Sequence, residues 1–226
     1  MQDDDPNPIR ILKQEILSDD YCQLKKVSFT QRRRDGSVQE HTREVYANAG
    51  GTAVLLYNRE RRTVLLTRQF RIGAHLAGHD GSVIEVPAGN LDDTAPGEQA
   101  RAELCEETGF RGRALRKMIE FFPNPSSLTE TVHCFLGEYG ERDRQGPGGG
   151  KEEEGEDIEV LGMDVDETFR QVKAGCIADA KTVILLQFLR EELQVPNDPY
   201  SGGRGKIVQW TVFPPTRSII ASTAAT

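Results

Sequence analysis

The chain is poor in cysteine, with four in 226 residues, at Cys22, Cys105, Cys134 and Cys176. They are widely spaced and form no C-x-x-C. A chain of this size needs no disulfide staple, so they read as reduced thiols in a cytoplasmic compartment. Long apolar runs are missing as well. None approaches the roughly 18 residues of a bilayer span, so no membrane partner is expected. Positive charge is in deficit: the net charge of −8 argues against general affinity for nucleic acid or anionic membrane. The opening stretch M-Q-D-D-D-P-N-P is acidic and lacks the apolar core of a secretory signal. No internal repeat recurs at the roughly 20–50-residue period of solenoids. Hydrophobic content is a lowish 37 %, because both ends and one loop are polar. The length suits one good-sized core with appendages.

What is present falls into three regions: an N-terminal hairpin and dimerisation region over 1–48, a catalytic domain over 49–194 and a tail over 195–226. Residues 1–10 are expected to fray. From Ile11 to Tyr46 the pattern is β, with an Asp35-Gly36 turn between strands Val27–Arg33 and Ser37–Tyr46. The hairpin is poor in core residues and should lean on a partner subunit or a ligand. Gly50-Gly51 opens the core, with short apolar strands at Thr52–Tyr57 and Thr63–Arg68. Residues 72–82 read as a plain loop. His75 and His79 are four apart within it, but with no third ligand nearby they make a poor zinc site. Further strands are expected at Ala114–Phe122, Thr131–Tyr139 and Ile158–Asp164. Helices are expected at Val165–Ala174, ended by Gly175, and at Ala180–Leu193, capped by Asp179. Residues 140–156, rich in Gly and Glu, read as a flexible excursion without an apolar anchor. The element order predicts a layered α/β domain, α+β in the sense of a mixed sheet.

The densest chemistry lies between Ile84 and Phe110. A short strand breaks at Pro87-Ala88-Gly89-Asn90. A helix follows from Pro96, favoured at a first helical position, to Gly109, favoured just past the last. Glu103, Glu106 and Glu107 stand at i, i+3 and i+4, so their carboxylates crowd one face. They repel one another, in the last turns where the helix dipole already disfavours anions. A cation would offset that, and clustered hard oxygen ligands suit Mg²⁺ or Mn²⁺. A solvated acidic helix face is the plain alternative.

The run A-E-L-C-E-E-T-G-F resembles the second half of the Nudix hydrolase box, G-x5-E-x7-R-E-U-x-E-E-x-G-U, where U is aliphatic or aromatic. The first half departs from it. Counted from Gly89, the box is one residue short, Ala95 stands at its first glutamate and Ala102 at its arginine. Arg101 lies one step earlier, about 100° round the helix. The likeness extends from about Ile11 to Leu189. I-L-S-D-D-Y, R-E-V-Y, V-L-L-T-R-Q-F-R, G-G-G before E-D-I-E-V, and K-T-V-I-L-L resemble the GDP-mannose/ADP-sugar pyrophosphatase branch. The resemblance implies an α/β/α sandwich and a homodimer whose N-terminal hairpin reaches across to the other subunit. It implies a hydrolase that uses Mg²⁺, with Mn²⁺ a possible substitute, and a nucleoside diphosphate sugar as substrate.

Carried over by motif, the metal ligands are Glu103, Glu107, the Ala88 carbonyl and Glu156, with Glu106 a helper. Glu156 or a box glutamate acts as general base. The substrate contacts implied are Gly89 in the turn, Arg43 and Arg71 on phosphate, Tyr21 stacked on the base, Glu44 and Glu130 on base or sugar hydroxyls, and Lys181 on a phosphate. Singly, each of these also reads as an ordinary surface or core-edge residue. Glu156 also reads as part of a solvated acidic tract, and its expected mobility would let it close over substrate. GDP-mannose leads, and ADP-ribose stays open because the box does not distinguish bases. The altered box also leaves open a nucleotide-sugar-binding protein without turnover. An acidic Ca²⁺-binding scaffold has only the 151–157 tract behind it and no EF-hand loop.

Overall fold

The computed structural model describes residues 8–91 and 94–194. The expected tail over 195–226 lies outside the described residues, and so do 1–7 of the expected frayed start. Ile9 and Arg10, expected to fray with them, are already in the first strand, β1 (Ile9–Asp19). It pairs with β2 (Gln23–Arg32), which pairs with β3 (Val38–Ala47), in a separate antiparallel sheet of order β1-β2-β3. The Asp-Gly turn is as expected: Gly36 has φ +84°, and Asp35 Oδ1 accepts from the Ser37 amide at 3.0 Å. The expected hairpin is therefore two strands of three. Register shifts between Ile11 and Lys13 and between Ile16 and Ser18 disturb the alternation that would have marked β1. Ile11, Leu12, Ile16, Leu17 and Val38 are exposed on this sheet.

The second sheet carries the core. Its members are β4 (Gly51–Asn58), β5 (Thr63–Phe70), β6 (Ser82–Glu85), β7 (Ala88–Asn90), β8 (Arg113–Phe121), β9 (Val132–Glu138) and β10 (Glu159–Asp164). The helices are α1 (Ile72–Leu76), α2 (Pro96–Thr108), α3 (Val165–Ala174) and α4 (Ala180–Gln194). The expected plain loop over 72–82 thus holds one helical turn. His75 packs against the Phe70 ring at 5.8 Å, while His79 accepts from the Gly81 amide. The strand order is β10-β5-β4-β9-β8, with β4–β9 the parallel pair and β6 and β7 attached to β5 and β4.

Every residue of β4 is buried, because layers cover both faces. Ala53, Leu55 and Tyr57 pack with Leu185, Leu186 and Leu189 of α4. Val54 and Leu56 pack with Ala100 and Leu104 of α2. Burial of each such leucine contributes about 1.5–3 kcal/mol relative to exposure. The result is an α/β/α sandwich. Helix ends fall where capping residues put them. Asp164 accepts from the Asp166 and Glu167 amides, Gly175 takes φ +78°, and Asp179 accepts from the Thr182 amide at 2.9 Å.

One feature of the sheet positions everything that follows. Strands β4 and β5 pair only from Leu56–Asn58 to Thr63–Leu65, then part. Strand β6 pairs with β5 and β7 pairs with β4, both antiparallel, so the chain from Glu85 to Gly89 crosses the fork. Pro87 sits at the crossing, where its missing N–H does no harm, and its carbonyl accepts from the Val54 amide at 2.9 Å.

Candidate active site

Helix α2 places its carboxylates by its own periodicity. Ala100, Leu104, Glu107 and Thr108 are its buried residues, at the i, i+4 and i+7/i+8 positions of the inward stripe. Glu107 therefore faces the core and is only 2 % exposed. Its Oε2 is buried without a protein hydrogen-bond partner. Burial, then repulsion from Glu85, Glu103 and Glu156, pushes the Glu107 carboxyl up to about 8, against a small opposing pull from the Ala88 backbone.

Glu103, one turn earlier, is raised by burial and by Glu106, while a hydrogen bond from Gln99 lowers it. Gln99 Nε2 donates to Glu103 Oε1 at 2.8 Å, and Thr94 Oγ1 donates to Gln99 Oε1 at 2.7 Å. The side chain that holds Glu103 is thus a glutamine at i−4, one turn before it. Arg101 is exposed and has no ion pair with these glutamates. Across the fork, a Cβ on Gly89 would overlap the Glu103 carboxylate, so glycine is what lets that carboxylate rest on this turn.

These groups open into a cleft of about 670 Å³, whose lining includes Tyr21, Arg71, Ala88, Gly89, Glu130 and Lys181. Glu103, Glu106, Glu107 and Glu156 line it too, so nearly all the residues singled out in the sequence converge. Tyr21, 80 % exposed at the mouth, accepts a hydrogen bond from Asn90 Nδ2 at 2.8 Å. Burial raises Glu130, with Lys181 opposing. Arg43 and Glu44 are the exceptions. They lie on β3, exposed and outside the lining of this cleft, and Arg43 Nη1 donates to the Thr42 carbonyl.

Arg71 and Lys181, expected on phosphate, both engage Glu85. Glu85 is 2 % exposed. Arg71 Nε donates to its Oε1 at 2.6 Å, and Lys181 Nζ is paired with its Oε2. Lys181 also meets Asp179 Oδ1 at 2.8 Å. Burial alone would lower the lysine; Glu85 and Asp179 outweigh it and leave it raised. Glu85 was missed by sequence reasoning, although a lone carboxylate between Ile84 and Val86 was a usable signal. Gln99 had the signal of i, i+4 spacing to Glu103. Lys151, whose Nζ lies 2.9 Å from Glu106 Oε1, had none.

The excursion over 140–156 is corrected most. It folds against the C-terminal end of α2, where backbone acceptors are free. The Gln145, Gly149 and Gly150 amides donate to the carbonyls of Gly109, Glu107 and Glu106 at 2.7, 2.8 and 3.4 Å. Anchoring by backbone donors leaves no trace in hydrophobic pattern. Glu156 is held within the loop, accepting from the Lys151 amide at 2.8 Å.

Among the described residues, no three His, Cys, Asp or Glu side chains converge as a metal-holding group. Gln99 and Lys151 hold the side-chain oxygens instead. The donor set still fits a divalent cation. Glu107 Oε2 is a buried acceptor with no donor, and the Glu103, Glu106 and Glu156 carboxylates line the same cleft.

Two family models match the chain. One, described as the GDP-mannose pyrophosphatase NudK N-terminal domain, covers residues 8–46, and the NUDIX domain covers 47–186. The chain is 45 % identical over 183 residues to a GDP-mannose pyrophosphatase of Cronobacter sakazakii, covering 80 % of this chain and 95 % of the relative. It is 43 % identical to one from Klebsiella pneumoniae, covering 80 % and 91 %. It is 41 % identical to one from Escherichia coli O139:H28, covering 80 % and 95 %. A crystal structure of an ADP compounds hydrolase superposes with a TM-score of 0.64 at 17 % identity, over 83 % of this chain and 95 % of that one, a likeness of fold. With a domain model over most of its length and a helix whose glutamates close on a glycine turn, the chain belongs to the Nudix hydrolase family.

Proposed function

We propose that this Nudix pyrophosphohydrolase cleaves the pyrophosphate of a nucleoside diphosphate sugar, with GDP-mannose as substrate and Mg²⁺ as its ion. Water adds across the P–O–P linkage, giving GMP and mannose 1-phosphate. The observation that carries this reading is Glu107, a carboxylate buried at the fork with one oxygen unpartnered, beside Glu103 on Gly89. The relatives named GDP-mannose pyrophosphatase supply the substrate.

Nudix hydrolases generally use divalent metal ions. Glu103, Glu107, the Ala88 carbonyl and Glu156 would hold the ion here, with Glu106 assisting. When bound, the ion supplies positive charge against the anionic pyrophosphate and acidifies water. The other tasks fall to the chain. Arg71 spends Nε on Glu85 and keeps its terminal nitrogens for phosphate oxygens, and Lys181 lies beside it. Tyr21 offers a ring to the base, and Glu130 accepts from a sugar hydroxyl. Glu156 takes the proton of the attacking water.

Arg43 and Glu44 belong to the same reading through a second copy. The chain acts as a homodimer in the cytoplasm, its N-terminal sheet bringing those residues to the partner's cleft. The exposed apolar residues of β1 and the placing of Arg43 and Glu44 outside their own cleft support this. Among the described residues no helix is long and apolar enough to cross a membrane.

The test is product analysis with GDP-mannose and ADP-ribose, with and without Mg²⁺, for wild type and Glu107→Gln. The expected outcome is metal-dependent GMP and mannose 1-phosphate, lost in the variant. Equal rates on both substrates would sink the claim for GDP-mannose, and no turnover of either would sink the reaction.

A further inference from the structure

The loop that carries Glu156 touches the catalytic helix through three consecutive glycines, all at positive φ: Gly148 at +73°, Gly149 at +112° and Gly150 at +76°. Only glycine adopts such a run readily. A Cβ at Gly148 would come within 2.6 Å of the Glu107 carbonyl oxygen and 2.5 Å of the Thr108 carbonyl carbon. Gly149 donates to the Glu107 carbonyl and accepts from the Ile158 amide at 3.2 Å, which ties it to the approach to β10. A Cβ at Gly150 would overlap the Glu156 carboxylate and lie 2.9 Å from the Glu156 Cβ. The next amide, of Lys151, donates to that carboxylate.

We infer that the backbone of Gly148–Lys151 is a strut that fixes Glu156 relative to Glu106 and Glu107, making Gly148 and Gly150 positioning residues for the hydrolysis. One end of the strut satisfies helix carbonyls belonging to the very residues whose side chains face the cleft. The other end holds the Glu156 carboxylate by an amide. The same glycines therefore set the separation between the helix carboxylates and the loop carboxylate, without touching substrate. The inference rests on the proposed role of Glu156.

Gly155 provides the internal control. It has φ +76°, like Gly150, but no residue beyond its two chain neighbours lies within 4 Å of an added Cβ. Alanine at Gly155 thus imposes the same backbone strain in the same loop, while its methyl meets neither α2 nor Gly148–Lys151.

Hydrogen exchange and steady-state kinetics on wild type, Gly148→Ala, Gly150→Ala and Gly155→Ala test the strut. In the wild type the Gly149 and Gly150 amides should be protected, and exchange there should quicken about tenfold or more in Gly148→Ala but not in Gly155→Ala. With GDP-mannose and Mg²⁺, Gly148→Ala and Gly150→Ala should lower kcat about tenfold or more with KM within about twofold, and Gly155→Ala should change neither. Unprotected wild-type amides would overturn the strut. So would a Gly150→Ala enzyme no worse than Gly155→Ala. Protected amides in a wild type that turns over neither substrate would overturn the proposed function instead, because exchange reads the strut without activity.

Discussion

Replacing Glu107 by glutamine should make the metal-free protein less sensitive to rising pH. Its carboxyl, ordinarily near 4.5, is pushed up to about 8 by burial and by Glu85, Glu103 and Glu156. Between those values the folded state holds a proton that the unfolded chain has released. Stability must therefore fall as pH rises through this window. One proton corresponds to about 1.36 kcal/mol per pH unit, so the loss between about pH 6 and 8 is about 2–3 kcal/mol. For a domain of this size that corresponds to roughly 5–10 °C in Tm. Thermal or urea unfolding in EDTA at several pH values gives the comparison. Glu103 and Glu130 are also raised, but they are common to both proteins and cancel in the difference. Glutamine leaves its own polar atoms short of partners, which shifts the whole curve and not its slope. A divalent ion at about 100 times its Kd should return roughly 2.7 kcal/mol to the wild type and much less to the variant. Identical pH slopes for the two proteins would refute the account of Glu107.

Gly89→Ala should retain the fold but weaken Mn²⁺ binding about tenfold in calorimetry and cut kcat about a hundredfold, because the new methyl takes the space of the Glu103 carboxylate. Lys151→Gln removes the ammonium beside Glu106, so calorimetry should show several-fold tighter Mg²⁺ binding; unchanged or weaker binding would mean that the lysine does not compete with the ion. Glu85→Gln leaves Arg71 and Lys181 without their shared carboxylate and should destabilise the protein by about 3–5 kcal/mol in urea unfolding.

Local chemistry was legible in the sequence where it depends on neighbours a few residues apart. Pro96 and Gly109 bound α2, Asp179 and Gly175 cap as read, and the i, i+3, i+4 spacing alone gathers Glu103, Glu106 and Glu107. The apolar run of β4 announced a short strand, and the structure buries every residue of it. The box carried the family because its glutamates, apolar residue and capping glycine are fixed by helix geometry. Pairing across the chain was out of reach. Nothing local says that β4 and β5 part and let Glu85 through Gly89 cross between them. Nor does anything say that Arg71 and Lys181 meet on Glu85, or that Gln99 is the residue that holds Glu103. The glycine-rich loop looked free because its anchors are amide-to-carbonyl bonds, which composition does not record. Sequence determined which groups this protein has to offer and which helix bears them, since propensity, capping and periodicity act over a few residues. Only the tertiary structure decided which of those groups are buried, paired or left without a partner, because burial and charge pairing depend on distances between segments far apart in the chain.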